Sequence, residues 1–243
     1  MKIHPPYPHY KFFRKPLPID SLQYAVDASI LAYSDREFVA RKVAHTNMEL
    51  TFIHNDLFQC LILRGRLTNI CLVAFRGTVG IKDWEVDFKI ERNSLGLHKG
   101  FCEAVDSLYP EIRRVVAGKD VLLTGHSLGA AMAAVAAIQL RTICEGVRIV
   151  NFGQPKIGDD KAVKLLNGIL WNRFVHGEDI VTHVPLKCLD YVHGGKEIHI
   201  PQQRRPWWGI DSRFPYFNAL IPRETIDHVP TWGYGNPIWK GIV

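Results

Sequence analysis

Apolar and polar positions along the chain predict strands that alternate with helices. The strand candidates are short runs rich in β-branched and aromatic residues, bounded by glycine, asparagine or charged residues. They lie at Leu50–His54, Leu57–Leu63, Asn69–Phe75, Lys119–Gly125, Arg148–Phe152 and Asn172–His176, with a strand pair or ribbon at Tyr191–Ile200. Helices are predicted at Ser21–Tyr33 (capped by Asp20 or Ser21), His98–Val116, Ser127–Cys144 and Lys161–Leu166. This alternation is typical of a largely parallel, doubly wound α/β sheet.

Two segments fall outside this alternation. Residues 1–20 are rich in proline and aromatic residues, which predicts an extended N-terminal arm packed on the domain. Residues 201–222 form a long aromatic stretch interrupted by prolines, which could act as a lid, line an acyl pocket or simply cover the sheet. Because no repeat, low-complexity tract or linker divides the sequence, we expect residues 1–243 to form a single domain.

The net charge alone does not identify the class of partner that the chain binds. The net charge of +6 would suit an anionic partner, but the basic residues are scattered apart from two small clusters at 11–15 and 204–205. The sequence contains no zinc-finger spacing, helix-turn-helix signature or RNA-binding aromatic motif. We therefore expect a mildly basic surface and no nucleic-acid partner.

The N-terminal sequence and the cysteines bear on the compartment. The N-terminus has no apolar core of the length that a signal peptide needs, and no run approaches the ~18 apolar residues of a membrane span. The five cysteines are odd in number and lack metal-ligand spacing, so we expect buried free thiols and no metal. The default expectation is a cytoplasmic protein, with secretion of a mature form or by a non-classical route left open.

The pentapeptide Gly125–His126–Ser127–Leu128–Gly129 joins an apolar strand to an alanine-rich helix. Strand, Gly-x-Ser-x-Gly and helix together form the nucleophile elbow of α/β-hydrolases, although an ordinary tight turn is the alternative. A serine hydroxyl attacks well when it stands clear of the sheet in a strained turn, and small neighbours let the strand and helix approach closely. The helix also points its positive N-terminus at the site. Ser127 is therefore the candidate nucleophile.

A serine nucleophile needs an acid and a base, which follow it in that order in α/β-hydrolases. Asp179 is the preferred acid because it comes just after a predicted strand, where parallel sheets present catalytic groups. The alternative acids are Asp159, Asp160, Glu178 and Asp190.

His228 is the preferred base because it lies in an irregular segment beyond the last predicted strand. His183 is too close in sequence to turn back easily onto Asp179. His193 and His199 lie in strand-like alternation, where a histidine is more often structural.

Several motifs occurring together resemble the fungal-type (class 3) lipases of the α/β-hydrolase superfamily. The resemblance covers residues 50–235. Its motifs are Phe75–Thr78, Asp83–Asp87, His98–Phe101, Gly125–Ala131, Phe152–Gly158, Asp179–Val181 with Pro185, and Asp227–His228. The resemblance implies an α/β-hydrolase fold with a mostly parallel central sheet flanked by helices. It also implies Ser127 as nucleophile, Asp179 as acid and His228 as base, without a metal or organic cofactor.

The resemblance further implies an oxyanion hole. Thr78 would donate both its backbone N–H and its hydroxyl, and Leu128 would donate its backbone N–H. Asp87 matches the position that orients the threonine hydroxyl. Val79–Glu85 matches the family's lid, although its small apolar face does not favour strong interfacial activation.

The resulting hypothesis is a carboxylic-ester hydrolase that cleaves acylglycerols through an acyl-enzyme on Ser127. Its partner would be a lipid or ester substrate. A lipid substrate would be met at a lipid–water interface. Phospholipase A1 and feruloyl or short-chain esterase activity are alternatives within the same class. A non-catalytic binding protein on a hydrolase scaffold is the alternative from another class. The sequence leaves the oligomeric state open.

Overall fold

A seven-stranded sheet is the centre of the computed structural model, which describes residues 12–13, 18–78, 91–185, 187–201, 234, 236–239 and 241. Its strands lie side by side in sequence order. They are β1 (Met48–His54), β2 (Gln59–Gly65), β3 (Ile70–Phe75), β4 (Asp120–His126), β5 (Gly146–Phe152), β6 (Leu170–His176) and β7 (Lys196–Ile200). The first three strands are antiparallel, and all neighbours from β3 to β7 are parallel. The last residues of β3 to β7 therefore share one edge of the sheet, called the carboxyl edge below.

Helices cover both faces of this sheet. The helices that connect parallel strands pack on one face, and they are α3 (Lys99–Val116), α4 (Leu128–Leu140) and α5 (Asp160–Lys164). The other face is covered by α1 (Leu22–Leu31), α2 (Arg36–Val43) and α6 (Asn236–Trp239). Two 3-10 turns follow β6, at Ile180–His183 and Lys187–Leu189. Each face thus has its own apolar core.

Alternation along the strands supplies both cores. In β2, Leu61 and Leu63 enter the core on the α1 side, while Cys60 and Ile62 enter the core on the α3 side. A strand buried on both faces reads in the sequence as a continuous apolar run. For this reason the strands were predictable without a clear period of two.

Side-chain caps begin the helices α1, α2 and α3. Ser21, rather than Asp20, caps α1 and accepts a hydrogen bond from the N–H of Tyr24 at 3.3 Å. Asp35 accepts from the N–H of Phe38 at 2.7 Å at the start of α2. His98 plays the same part for α3, because its Nδ1 accepts from the N–H of Phe101 at 3.3 Å. Such caps satisfy N–H groups that have no partner inside the helix.

The predicted sheet, mostly parallel and flanked by helices, is confirmed. The doubly wound form needs one correction, because the second face is covered by helices outside the crossovers from β3 to β6. A second correction concerns Tyr191–Ile200, where only Lys196–Ile200 is a strand, parallel to β6. The short helix α2 was not predicted.

The single domain and the N-terminal arm stay predictions. Of residues 1–20, the structure describes Phe12 and Phe13 and residues 18–20. The side chains of Phe12, Phe13 and Ile19 are buried in the core on the α1 side. The backbone N–H of Phe13 also donates to the buried carboxylate of Asp27 on α1.

Two expected features can be compared directly with the described residues. None of the helices in the described ranges is long and apolar enough to cross a membrane. All five cysteines lie in these ranges and are free thiols, but only Cys60 and Cys71 are buried. The expectation that every thiol is buried is therefore wrong for Cys188, which is exposed, and for Cys102 and Cys144, which are half-buried.

Candidate active site

Three of the predicted site residues follow strands that end at the carboxyl edge. Thr78 comes three residues after β3, Ser127 directly after β4, and Asp179 three residues after β6. β3 and β4 are neighbours, paired through Phe75 and Gly125, and only β5 lies between β4 and β6. Parallel strands lie about 4.8 Å apart, so the sheet brings these three positions to the same short stretch of its edge.

Ser127 occupies a strained turn between β4 and α4. Its backbone has φ 58° and ψ −128°, a conformation that non-glycine residues rarely adopt. The N–H of Ser127 donates to the carbonyl of Phe152 at 3.0 Å, and its own carbonyl accepts from Ala130 at 2.9 Å. The turn is thus held by backbone groups on both sides, and the Ser127 side chain is not used to cap α4.

Both glycines of the pentapeptide are required by packing. A Cβ on Gly125 would clash with the backbone of Gly129, and a Cβ on Gly129 would clash with the carbonyl of Phe75 at the end of β3. The first glycine therefore lets α4 fold back on β4, and the second lets α4 approach β3. This is the close packing that the sequence pattern predicted.

The two predicted oxyanion donors lie at neighbouring strand ends. Leu128 is the first residue of α4, and N–H groups in a first helical turn have no acceptor within the helix. Thr78 is half-buried and follows Gly77. A Cβ on Gly77 would lie 2.5 Å from the carbonyl oxygen of His126, so the segment leading to Thr78 runs directly against the residue before Ser127.

Asp179 is a fully buried carboxylate held by donors from two parts of the chain. Its Oδ1 accepts from the N–H of Val181 at 3.0 Å, which also caps the 3-10 turn Ile180–His183. Its Oδ2 accepts from the hydroxyl of Tyr234. A buried carboxylate needs such donors, because an uncompensated charge in an apolar site is costly.

Tyr234 was not predicted as a site residue. It is fully buried, and its ring lies 5.7 Å from the ring of His126, 5.9 Å from that of Phe152 and 6.1 Å from that of His176. Those three residues end β4, β5 and β6, so Tyr234 spans the sheet edge between Ser127 and Asp179. Its hydroxyl also accepts from the N–H of His176 at 3.3 Å. No local sequence pattern marks such a role.

The alternative acids have other surroundings. Glu178 and Asp160 are exposed, and the Asp190 side chain is 85% exposed. Asp159 caps α5 through the N–H groups of Lys161 and Ala162 and lies 3.8 Å from Arg92. Among these carboxylates, only Asp179 is buried at the carboxyl edge with a hydroxyl donor.

The alternative bases differ in the same way. His183 and His199 are exposed. His193 is engaged structurally, because its Nε2 lies 2.6 Å from the carbonyl of Thr182 and must donate to it. Burial, followed by the nearby positive charge of Arg173, lowers the pKa of His193 to about 3, so its ring is neutral near pH 7.

Four predicted features lie outside the described residues. They are His228, Asp87, the lid segment Val79–Glu85 and residues 202–222 of the aromatic stretch. Their roles stay predictions.

Lys156 holds the loop that carries Asp179. Its Nζ donates to the carbonyls of His183 and Pro185, each at 2.8 Å, and its N–H donates to Val184 at 2.9 Å. The peptide bond between Val184 and Pro185 is cis. One cation thus binds the carbonyls at the end of the 3-10 turn that Asp179 begins.

The motif after β5 contributes a buried amide network. Asn151 donates through Nδ2 to the carbonyl of Ala130 and to Oε1 of Gln154, both at 2.7 Å. Trp171 donates to the same Gln154 oxygen at 3.1 Å. The network fixes the first turn of α4 against β5 and β6, and so supports the position of Ser127 from behind.

Other nucleophiles and metal sites find little support in the described ranges. Burial raises the pKa of the Cys60 thiol, and raises the pKa of Cys102 and Cys144 to about 11, so these thiols are not thiolates near pH 7. Within the described residues, no three His, Cys, Asp or Glu side chains are grouped so that they could hold a metal ion.

The central part of the chain is similar to a known protein family. The family model described as Lipase (class 3) matches residues 72–188. Through this segment the chain is similar to the class 3 lipase family. The segment contains Thr78, Ser127 and Asp179, whereas His228 and Tyr234 follow it.

Similar proteins include fungal lipases. A lipase of Rhizomucor miehei is 29% identical over 198 residues, covering 71% of this chain and 54% of that protein. A protein of Penicillium cyclopium named secreted mono- and diacylglycerol lipase A is 30% identical over 149 residues, covering 55% of this chain and 49% of that protein. The chain thus spans about half the length of these relatives.

Solved structures show the same fold. The triacylglyceride lipase of Rhizomucor miehei superposes with a TM-score of 0.66 at 19% identity, covering 88% of this chain and 93% of that one. At this identity the likeness concerns the fold alone. It confirms the predicted α/β-hydrolase fold.

Proposed function

We propose that the chain is a serine carboxylic-ester hydrolase that acts through an acyl-enzyme on Ser127. The observation that carries this proposal is the strained backbone of Ser127 at the junction of β4 and α4, with φ 58°. Such strain persists where the surrounding structure over-determines it, and it is typical of active sites. The match to the class 3 lipase family over residues 72–188 supports the same function.

In the proposed mechanism, the Oγ of Ser127 attacks the ester carbonyl while the base removes its proton. The carbonyl oxygen becomes an oxyanion that accepts from the N–H groups of Leu128 and Thr78 and from the hydroxyl of Thr78. The C–O bond to the alcohol then breaks, and the base returns its proton to the leaving alkoxide. A water molecule, activated by the same base, hydrolyses the acyl-enzyme and regenerates Ser127.

His228 is proposed as that base, with Asp179 as the acid that orients it. The contact between Tyr234 and Asp179 supports this choice. Six positions separate His228 from Tyr234, and an extended chain of that length spans at most about 20 Å. The proposed base thus precedes by six positions a residue that binds the acid, which supports the pairing. In the same proposal Asp87 orients the hydroxyl of Thr78, and Val79–Glu85 serves as a lid.

Acylglycerols are the proposed substrates, because relatives are named as lipases and as mono- and diacylglycerol lipases. Phospholipids at the sn-1 position and feruloyl or other short-chain esters are the alternatives. These substrates differ in the acyl pocket, to which residues 201–222 are proposed to contribute. A lipid substrate would be met at a lipid–water interface.

The compartment is a separate question. Three relatives, from Fusarium and Penicillium, are named as secreted, which does not fit the cytoplasmic default. We propose the reducing compartment on the strength of the five free thiols. Fractionation of the natural source, with antibody detection, would test this, and recovery from the medium would overturn it.

The test of function is hydrolysis of p-nitrophenyl esters of increasing chain length. We expect activity well above background for the wild type and a loss of at least ~10⁴-fold in Ser127→Ala, because triad members act as a unit. Asp179→Asn should lose about 10⁴-fold through misorientation of the base. The chain-length optimum would then separate a lipase from a short-chain esterase.

Ser107→Ala is the control, since Ser107 is an exposed residue on α3 whose hydroxyl donates to the carbonyl of Ala104 at 2.8 Å. It should retain wild-type rates. Equal rates in the wild type and Ser127→Ala would contradict the proposed nucleophile. Inactivity of both on all esters, lipids included, would favour a non-catalytic scaffold.

A further inference from the structure

Tyr33 lies between the two strand ends that carry the oxyanion donors. It follows α1 by two residues, and α1 packs along β4, where Thr124 donates to the carbonyl of Ala25 at 3.3 Å. The Oη of Tyr33 lies 2.8 Å from Nδ1 of His126, the residue before Ser127. The two rings are tilted, with centroids 5.9 Å apart. The tyrosine hydroxyl is thus hydrogen-bonded to the residue that begins the nucleophile turn.

The same hydroxyl contacts the segment that leads to Thr78. A Cβ added to Gly77 would clash with the Oη of Tyr33. Gly77 therefore lies in a narrow gap between the hydroxyl and the carbonyl of His126. The hydroxyl touches the residue before Thr78 and the residue before Ser127 at once.

Gln59 fixes the backbone on both sides of Tyr33. Its Nε2 donates to the carbonyl of Ala32 at 2.8 Å and to that of Ser34 at 2.9 Å. Gln59 is buried at the start of β2, so this clamp belongs to the sheet itself. The backbone around Tyr33 is consequently fixed against the start of β2, although Tyr33 follows the end of a helix.

Gln59 also binds Arg76, where the chain leaves β3 toward Thr78. The N–H of Arg76 donates to the carbonyl of Gln59 at 2.9 Å, and its Nη1 donates to Oε1 of Gln59 at 3.4 Å. A further bond runs from Nη2 of Arg76 to the carbonyl of Leu57 at 3.0 Å. One buried amide therefore organises both Tyr33 and the first residue of the segment 76–78.

We propose that Tyr33 is a positioning residue that sets the distance between Thr78 and the Ser127–Leu128 turn. This inference rests on the proposed hydrolase function. The oxyanion donors come from two separate strand ends, so neither β3 nor β4 alone determines their spacing. A displacement of about 1 Å in a catalytic group can cost up to about 100-fold in rate. The tyrosine hydroxyl bridges the two ends where that displacement would occur.

The test is Tyr33→Phe, which keeps the ring and removes the bridging hydroxyl. With a water-soluble short-chain p-nitrophenyl ester, kcat should fall about tenfold while KM stays within about twofold, because alignment affects the transition state more than substrate binding. Titration of Ser127 with a chromogenic phosphonate counts the active molecules and corrects kcat for any misfolded fraction. Tyr24→Phe is the control, since Tyr24 is a buried tyrosine on α1 that packs on Phe13.

A second measurement separates positioning from general support of the fold. In a Thr78→Val background, which lacks the threonine hydroxyl, the effect of Tyr33→Phe on kcat should shrink at least threefold, because residues acting through one another are not additive. Equal losses in both backgrounds, an equal loss in Tyr24→Phe, or wild-type kcat in Tyr33→Phe would each overturn the inference. Should Ser127→Ala keep wild-type activity, the proposed function fails as well.

Discussion

The nucleophile turn and the acid loop are built in different ways. The turn at Ser127 is formed mainly by its own glycines, which allow close approach to Phe75, and by a backbone bond to Phe152, although the side chain of Tyr33 contacts its edge. The loop of Asp179 is held by side chains from distant parts of the sequence. Tyr234 lies 55 positions away from Asp179, and Lys156 lies 27 positions from His183. A strained nucleophile can thus be encoded locally, whereas a buried acid relies on partners brought in by the fold.

This contrast predicts where single substitutions do the greatest damage. In the turn, a change as small as one methyl group meets main chain that cannot move. In the acid loop, Asp179 and the turn after it are held by several independent contacts. Loss of one contact should therefore weaken the loop without preventing it from forming. Three variants test the difference, in decreasing order of expected effect.

Gly129→Ala should have the largest effect. The added Cβ would clash with the carbonyl oxygen of Phe75 and lie 2.8 Å from its carbon, so α4 and β3 must separate. We expect the free energy of unfolding to fall by about 3 kcal/mol, as for an overpacked core, although alanine is otherwise the better helix former. Because the shift also moves the oxyanion donors, kcat should fall by about 100-fold. Urea unfolding and ester hydrolysis measure the two effects.

Gly100→Ala is a control at the same helical position, since Gly100 is the second residue of α3 as Gly129 is of α4. Its nearest neighbour would be Cε1 of the His98 side chain at 3.2 Å, so we expect a change within about 1 kcal/mol. Similar destabilisation in both variants would mean that the close approach to β3 is not what requires Gly129.

Tyr234→Phe should have an intermediate effect. It removes the hydroxyl donor from Oδ2 of Asp179 and leaves that oxygen with one partner fewer in a buried site. We expect the free energy of unfolding to fall by about 2 kcal/mol, as for a buried bond to a charged group. We expect kcat to fall about tenfold, while the loop still forms through Val181 and Lys156.

Tyr191→Phe is the matched control for that variant. Tyr191 is also fully buried, but Arg92 lies over its ring and burial raises its pKa to about 12. Loss of the Tyr191 hydroxyl should leave kcat unchanged. A Tyr234→Phe enzyme with wild-type kcat would show that the acid does not depend on its distant donor.

The smallest effect should come from a change of one pH unit. The pKa of His193 is lowered to about 3 by burial and, next, by Arg173, whereas an unfolded histidine titrates near 6.5. As pH falls below 6.5, the unfolded chain takes up the proton first, so stability present above 6.5 is lost toward pH 3. The free energy of unfolding should decrease by at most about 1.4 kcal/mol per pH unit from this residue.

His193→Gln should flatten that dependence and retain a donor for the carbonyl of Thr182. His199→Gln, at an exposed histidine, is the control for the substitution itself. Urea unfolding at pH 7 and pH 5 provides the comparison. Parallel pH curves for His193→Gln and the wild type would contradict the role given to this ring.

Local sequence patterns were sufficient to predict most of the sheet and the nucleophile turn. The six strands predicted before Tyr191 differ from the observed ones by at most two residues at either end. This success reflects apolar runs that are buried on both faces. The turn at Ser127 was predictable because the glycines, the apolar strand and the alanine-rich helix that form it all lie within a short stretch of chain.

The missed features depend on contacts that no short window contains. Helix α2 is short and polar, with only Val39 and Val43 buried, so it lacks a strong apolar period. The segment before β7 alternates like a strand, yet it forms only an isolated bridge between Val192 and Gly158, and Gly194 and Gly195 pack closely against Trp171. The roles of Tyr33 and Tyr234 come from hydroxyl groups that meet distant residues only in the folded chain.

The order of the strands also has a consequence for how the chain is made. Because β1 to β7 lie side by side in sequence order, each strand leaving the ribosome finds its neighbour already synthesised, and the sheet can grow from one edge. The nucleophile turn can close once α4 has emerged. The acid, in contrast, gains its tyrosine donor only after residue 234 is translated. A nascent chain halted before that residue would carry its serine in place with the acid still incompletely held.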